Sequence, residues 1–324
     1  MKGMEPEIFA TLMILILCWI VLLVLDLAVS GIIRAAAGVP FKRVFLWGLL
    51  SLLLPLAAIL YGSLIERNTF RIKEIELAYE NLPEGFKDYR IVHISDIHAR
   101  SFSKREKSLQ RAVDKINALD PDMIAFTGDL ITMTPDELNH ISAPLSSLKA
   151  KDGVFSVLGN HDYCMYSDMS QTEKQKCLED LIIKEREMGW DLILNEHRIV
   201  RKGKDSIAVI GVENTSPSRH FPSRGDLNKA SEGTEGMFRL LLSHDPMHWE
   251  AEIIGKDYPL TLSGHTHAMQ VSILGWSPSS LIFKHHRGLY TEGIQNIYVN
   301  KGLGETIFPA RIGAIPEITL ITLK

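Results

Sequence analysis

The sequence predicts an α/β fold, a sheet-based sandwich flanked by helices and preceded by a membrane-spanning helical hairpin. Three observations carry this. After about residue 71, short apolar runs bounded by turn residues alternate with segments of helical periodicity. Several of these runs end on Asp, Asn and His, and α/β sheets place their ligands at strand ends. Before residue 71 lie two apolar stretches, each long enough to cross a bilayer. The expected division is therefore an anchor over 1–70 and a globular domain over 71–324.

The first stretch runs from about Ile8 to Ile33, broken by Asp26; the second runs from about Val44 to Ile65, broken by Pro55. A helix of about 20 residues spans the hydrocarbon, and two such lengths in tandem are rare in soluble cores. A cleaved signal peptide fits poorly. The leading residues hold Lys2 but also Glu5 and Glu7, and a second apolar stretch follows at once. The connection carries Arg34, Lys42 and Arg43 with no acid, whereas the flank after Ile65 mixes both signs. Basic density favours the connection inside and the large domain outside the cytoplasm.

In the globular part, Ile72, Ile75, Leu77 and Tyr79 suggest an opening strand, closed by the Pro83-Glu84-Gly85 turn. Strand runs follow at Arg90–Ser95, Met123–Phe126, Val154–Leu158, Ile207–Ile210, Leu240–Leu242 and Leu260–Ser263, with further strands at Ile297–Val299 and Ile318–Leu323. Leu109, Ala112, Val113 and Ile116 share one helical face ending before Asp120-Pro121. Glu137 to Leu148 and Thr172 to Met188 also read as helices. Glu213 to Gly236, rich in Ser, Pro, Gly and charge, reads as a long loop or lid.

Five motifs in order carry the chemistry: Asp96-Ile97-His98, Gly128-Asp129, Gly159-Asn160-His161-Asp162, Ser243-His244 and Gly264-His265-Thr266-His267. Carboxylate, amide oxygen and imidazole are the ligand types that suit Mn²⁺, Fe or Zn²⁺. A cation pair neutralises phosphoryl charge and lowers the pKa of a bound water, and it needs one bridging oxygen ligand. His93, His140, His197, His220 and His248 stand outside the motifs and read as surface or core residues. His285-His286-Arg287, Arg219 and Arg224 read as solvated loop residues that could meet phosphate, and Trp276 as a pocket wall. Gly128 and Gly159 fit ordinary turns and close-approach positions equally well.

The motif series resembles the calcineurin-like metallophosphoesterase superfamily, whose pattern is D-x-H, G-D, G-N-H-[DE], H and G-H-x-H. Tyr298–Gly304 and Pro309-Ala310-Arg311 extend the similarity to a membrane-anchored bacterial phosphodiesterase-like branch. The resemblance implies a four-layer αββα sandwich of two mixed sheets. It places one metal on Asp96, His98, Asp129 and His267, and the other on Asp129, Asn160, His244 and His265, with Asp129 bridging. It gives His161 the role of stabilising the phosphoryl group or protonating the leaving group, and Asp162 that of orienting its imidazole. Two divalent ions are implied, Mn²⁺ first, with Fe or Zn²⁺ as alternatives. The implied reaction is hydrolysis of a phosphodiester or pyrophosphate by a hydroxide between the metals. The implied setting is a bacterial cell or inner membrane, and the substrate class is open: a lipid-linked ester is one reading, including UDP-diacylglucosamine-like precursors, which would need a cytoplasmic site. Two departures bear on substrate choice. Ala268-Met269-Gln270 stands where close relatives often read Gly-Gly-Gln, and His244-Asp245-Pro246 replaces His-Asn-Pro.

A net charge of −4 argues against a dedicated nucleic-acid binder. Of three cysteines, Cys18 lies in the first apolar stretch and Cys164 and Cys177 are a candidate disulfide. A non-catalytic metal-binding scaffold and a phosphomonoesterase or protein phosphatase are the competing functions.

Overall fold

The computed structural model describes residues 6–324, so Lys2 and Glu5 of the signal-peptide argument lie outside the described residues. The two apolar stretches form a hairpin. Helix α1 (Pro6–Ala37) has 32 residues, about 48 Å at 1.5 Å per residue. The return arm is α2 (Phe41–Gly48), a 3₁₀ turn (Leu49–Leu52) and α3 (Leu53–Leu64). The 3₁₀ turn precedes Pro55, which has no N–H to donate back, and the Trp19 indole donates to the Leu52 carbonyl at 2.8 Å. Asp26 is turned between the arms against Gly48. Most other side chains of both arms are exposed and apolar, and none of the described residues covers them.

Twelve strands follow: β1 (Arg71–Leu77), β2 (Arg90–Ile94), β3 (Met123–Phe126), β4 (Val154–Ser156), β5 (Asp191–Leu192), β6 (Glu196–Lys202), β7 (Asp205–Gly211), β8 (Phe238–Leu242), β9 (Leu260–Ser263), β10 (Gly288–Glu292), β11 (Gln295–Val299) and β12 (Glu317–Leu323). They make two six-stranded mixed sheets, ordered β1-β12-β2-β3-β4-β5 and β10-β11-β9-β8-β7-β6. Strand alternation assigns the layers. Ile91, Leu240 and Leu242 point into a core shared by the two sheets, while Val92 and Ile94 face helices α4 (Glu106–Ala118), α5 (Ser142–Ser146) and α6 (Gln171–Glu187). Ala208, Ile210 and Leu241 face Trp249, Ile253 and helix α7 (Leu227–Ser231) on the far side. The result is the four-layer αββα sandwich of two mixed sheets.

The helix expected over Glu137–Leu148 is instead a 3₁₀ turn (Pro135–His140) followed by α5. Pro144 explains the break. It cannot sit deep in a helix, and restarting at Ser142 puts it in the first turn, where a missing N–H costs nothing. Cys164 and Cys177 form a disulfide that ties the turn after His161 to α6.

Glu185, on α6, is fully buried and neither carboxyl oxygen has a hydrogen-bond partner. Burial pushes it up from 4.5 to about 8. The contribution of this neutral acid to stability is fully present below about 4.5 and is lost as pH rises through about 8. Glu185→Gln is therefore expected to raise the melting temperature at pH 8 more than at pH 5, the gap growing by up to about 1.4 kcal/mol per pH unit. An equal effect at both pH values in detergent-solubilised protein would contradict this.

Candidate metal centre

Register brings the motifs together. Ile94, Phe126 and Ser156 are successive partners across β2, β3 and β4, so the loops after them leave the same sheet edge. In the second sheet Leu242 pairs with Leu262 and Val299 with Ser263, delivering His244, His265 and His267 from the same end. Gly128 lets the loops close up. Its φ is +90°, and a Cβ there would meet the Gly159 nitrogen at 2.4 Å; a Cβ on Gly159 would in turn strike the Asp129 carboxylate. Both are close-approach positions.

Asp96, His98, Asp129, His265 and His267 all have left-handed backbones, with φ between 45° and 73°. Asp and His tolerate this region better than most residues, and such strain persists where surrounding bonds over-determine it. Here Asp96 N–H donates to the Gly128 carbonyl at 2.9 Å, His98 N–H to that of Asp129 at 3.1 Å, and His265 N–H to the Asp96 carboxylate at 3.1 Å.

Three groups of possible ligand atoms lie within 4.8 Å of one another: Asp96, His98 and His267; His98, Asp129 and His161; Asp129, His244 and His265. Asn160 joins the last through its Oδ1, 2.8 Å from His265 Nδ1. Asp129 belongs to two groups. All eight of Asp96, His98, Asp129, Asn160, His161, His244, His265 and His267 therefore meet in one place.

The donor set fits divalent cations. His98 and His267 approach through their Nε2 atoms at 2.9 Å, so one ring donates to the other, and one cation could take the place of the shared proton. His244 Nε2 lies 3.1 Å from Asp129 Oδ2, yet it is buried and no hydrogen bond joins the two. Its Nδ1 sits 2.6 Å from the Thr127 carbonyl, which can only accept; Nδ1 therefore carries the proton and Nε2 is left as a donor of electrons. Burial opposes a charged His244, but Asp129 pulls it up to about 10. Burial likewise opposes ionisation of Asp96, and His267 and His244 outweigh it, holding that carboxyl well below its usual range. The carboxylates demand positive charge at this spot.

Asp162 makes no hydrogen bond to the His161 ring, so it does not orient that imidazole directly as expected. Its oxygens accept backbone N–H groups of Asp129, Leu130 and Gly159 at 2.8 Å and of Ile131 at 3.1 Å, bracing the loop that presents Asp129. The His161 ring is fixed instead by the Thr132 carbonyl, 2.8 Å from Nδ1, and stacks on Tyr166 at 4.2 Å.

Sequence reasoning missed Arg311. Its guanidinium is fully buried, donates to the Gly304, Lys301 and His267 carbonyls, and lies 3.1 Å from His267 Nδ1. Only its place in Pro309-Ala310-Arg311 hinted at this. Tyr166, whose hydroxyl accepts from Asn160 at 3.1 Å, gave no signal. Ala268, Met269 and Gln270 are left-handed, which is why glycine suits two of these positions. Gln270 braces the neighbouring segment, donating to the Phe308 and Ala310 carbonyls and accepting from Thr306 and Ile307 N–H.

The remaining histidines behave as core or surface residues. His93 is buried beside the Thr127 hydroxyl at 2.9 Å, and His285 pairs with Glu250 at 2.7 Å rather than facing the site. Arg224 stacks on Tyr163 and Arg219 is exposed. Trp276 is half exposed and lines no part of the cavity, correcting its reading as a wall. That cavity, about 620 Å³, reaches from Asp129, Asn160, His161, His265 and His267 past Met269, Phe221, Phe283 and Ile307 to Glu7 and Ala10 of α1.

A sandwich of two mixed sheets with clustered Asp, Asn and His at the strand ends defines a metal-dependent phosphoesterase class. The chain belongs to the calcineurin-like phosphoesterase family, whose model matches residues 89–269. It is 32% identical to a Bacillus subtilis protein named uncharacterized metallophosphoesterase YkuE, over 82% of this chain and 89% of that one. It is also 32% identical to a zebrafish transmembrane protein with metallophosphoesterase domain, over 85% of this chain and 62% of the relative. A similar match to the cattle protein of that name is 30% identical over 78% of this chain and 57% of the relative, so the chain spans only part of the vertebrate proteins. Among solved structures, a dimetal phosphatase from zebrafish aligns with 68% of this chain and 89% of its own at a TM-score of 0.42 and 13% identity.

Proposed function

We propose that this protein hydrolyses a phosphodiester or pyrophosphate with two divalent cations, Mn²⁺ first, and that its membrane-anchored setting selects a lipid-linked substrate. The observation that carries the reading is the meeting of seven side chains around Asp129, with the unpartnered His244 Nε2 aimed at its carboxylate. Asp96, His98, Asp129 and His267 would hold one cation, and Asp129, Asn160, His244 and His265 the other. When bound, the cations supply Lewis acidity and a nucleophile at neutral pH.

The chain's own groups do the rest. His161 Nδ1–H donates to the Thr132 carbonyl, which leaves Nε2 for the cavity, where in its protonated form it stabilises phosphoryl oxygen or protonates the leaving group. Asp162 keeps the Asp129 loop rigid. Phe221, Phe283, Met269 and Ile307 give the cavity an apolar wall beyond the polar floor, room for an esterified group on each side of phosphorus.

The same proposal puts the catalytic domain outside the cytoplasm. Arg34, Lys42 and Arg43 crowd the hairpin connection, and the Cys164–Cys177 disulfide suits an oxidising compartment. A cytoplasmic UDP-diacylglucosamine-like precursor is disfavoured on that ground. Right-side-out membrane vesicles test both parts, because bis-aryl phosphate is charged and impermeant. With Mn²⁺ they are expected to hydrolyse it before lysis, and faster than the mono-aryl ester. Activity unmasked only by lysis would reverse the orientation, and faster mono-aryl turnover would sink the diester reading.

A further inference from the structure

The segment between Val271 and Phe283 carries apolar side chains that none of the described residues covers. Leu274 is 103% exposed, Leu281 77% and Ile282 62%; Ile273, Trp276 and nearby Ile307 are each about half exposed. An apolar patch of this kind on a folded domain marks an interaction surface. The tip is not loose. Ser272 N–H donates to the Ile312 carbonyl at 2.7 Å, Ile273 and Trp276 bond through their backbones, and Ser277 caps the short 3₁₀ turn Pro278–Leu281. Arg287 holds the base, donating to the Ser272 hydroxyl at 2.6 Å and to the Gly275 carbonyl.

Its position relative to the hairpin decides what covers it. Arg311 N–H meets the Gly62 carbonyl at 3.4 Å, the Glu66 carboxylate accepts from Gly313 N–H at 2.5 Å, and Arg67 donates to the Pro309 carbonyl at 2.7 Å. The segment bridged to Ser272 is thus clamped to the last turns of α3. On the other arm Glu7 pairs with Arg100 at 2.9 Å, and Ala10 lines the cavity. The domain therefore sits at the end of the hairpin where the chain leaves the apolar layer, and the uncovered loop departs at that same level. Leu64 and Ile65, at the end of α3, are exposed as well. Lys284 and Arg287 follow the apolar tip, the order of apolar tip and basic base that suits an anionic lipid surface. Lys284 has one acidic neighbour, Glu292 at 3.6 Å.

We propose that Ile273–Ile282, with Ile307, is a membrane-inserting loop that acts as a second, monotopic contact with the lipid surface beside the hairpin and seats the cavity mouth at the bilayer interface. Insertion of such apolar side chains reaches about 5–10 Å, to the boundary of headgroups and acyl chains. The cavity wall of Ala10, Phe283 and Ile307 then opens toward lipid and its polar floor stays with Asp129. The inference rests on the anchor geometry and does not depend on which ester is cleaved.

Full-length protein carrying Cys18→Ser and Leu274→Cys, labelled with a thiol-reactive environment-sensitive fluorophore, tests this in nanodiscs of phosphatidylcholine and phosphatidylglycerol. The label is expected to emit blue-shifted and to be quenched more by lipid bearing a spin label near the ester end of the acyl chain than by one at the bilayer centre. The same label on Lys204→Cys, in the β6–β7 turn, is expected to stay red and unquenched. Leu274 touches no core, so folding is not at risk, and soluble bis-aryl phosphate turnover should match wild type. Emission at 274 equal to that at 204 would overturn the proposal. So would a blue shift without lipid quenching, which would assign the loop to a second copy or another protein.

Discussion

Asp129→Asn is expected to strip both cations and to lower bis-aryl phosphate turnover by at least about a thousand-fold, since the cations contribute several kcal/mol and each 1.36 kcal/mol is tenfold. The substitution keeps the shape of the side chain and an oxygen for the His161 N–H, which it accepts at 2.8 Å. What it removes is the charge that two ligand groups share. Of the three ligand groups His98 belongs to the first two and Asp129 to the last two, while every other carboxylate or imidazole belongs to one; Asp129 is the carboxylate that is shared. Metal content by mass spectrometry and turnover should therefore fall together. Retention of two metal equivalents by this variant would refute the bridging role.

His161→Ala is the complementary case. It is expected to keep both cations and lose about 10²- to 10⁴-fold in kcat, the range for a positioned acid or base. Its ring is hydrogen-bonded to the Thr132 carbonyl, packs on Tyr166 and meets His98 only edge-on at 4.8 Å, so removing it breaks no hydrogen bond of Asp96, His98, His244 or His267. The loss should be smaller for esters with good leaving groups, which need no proton. Equal turnover by wild type and variant would favour a metal-binding scaffold over an enzyme.

Much of the fold was legible because burial writes itself into strand composition. β2, β3, β8 and β9 are buried on both faces and read as continuous apolar runs. β6 and β10 were not legible. They are edge strands, partly exposed, and Glu196–Lys202 is mostly polar. Nor does local sequence announce that β12 inserts between β1 and β2, parallel to one and antiparallel to the other, since that depends on pairings 226 to 246 residues apart. At the site, the residues with metal-ligand chemistry were legible by type and order. The residues that hold them were not. Thr127 and Thr132 act through backbone carbonyls, which any residue carries. Asp162 was legible as important but not as a brace for backbone N–H groups, because its partners are set by the turn and not by spacing. Arg311, 44 residues after His267, reaches the site only through the fold.

The central claim is that one cavity holds two cations around Asp129. Anomalous diffraction from crystals grown with Mn²⁺, collected at the manganese edge, tests it most directly. Two peaks are expected, one within reach of Asp96, His98 and His267 and one within reach of Asn160, His244 and His265, with the Asp129 carboxylate between them. A single peak away from Asp129, or none in protein that turns over bis-aryl phosphate, would contradict it.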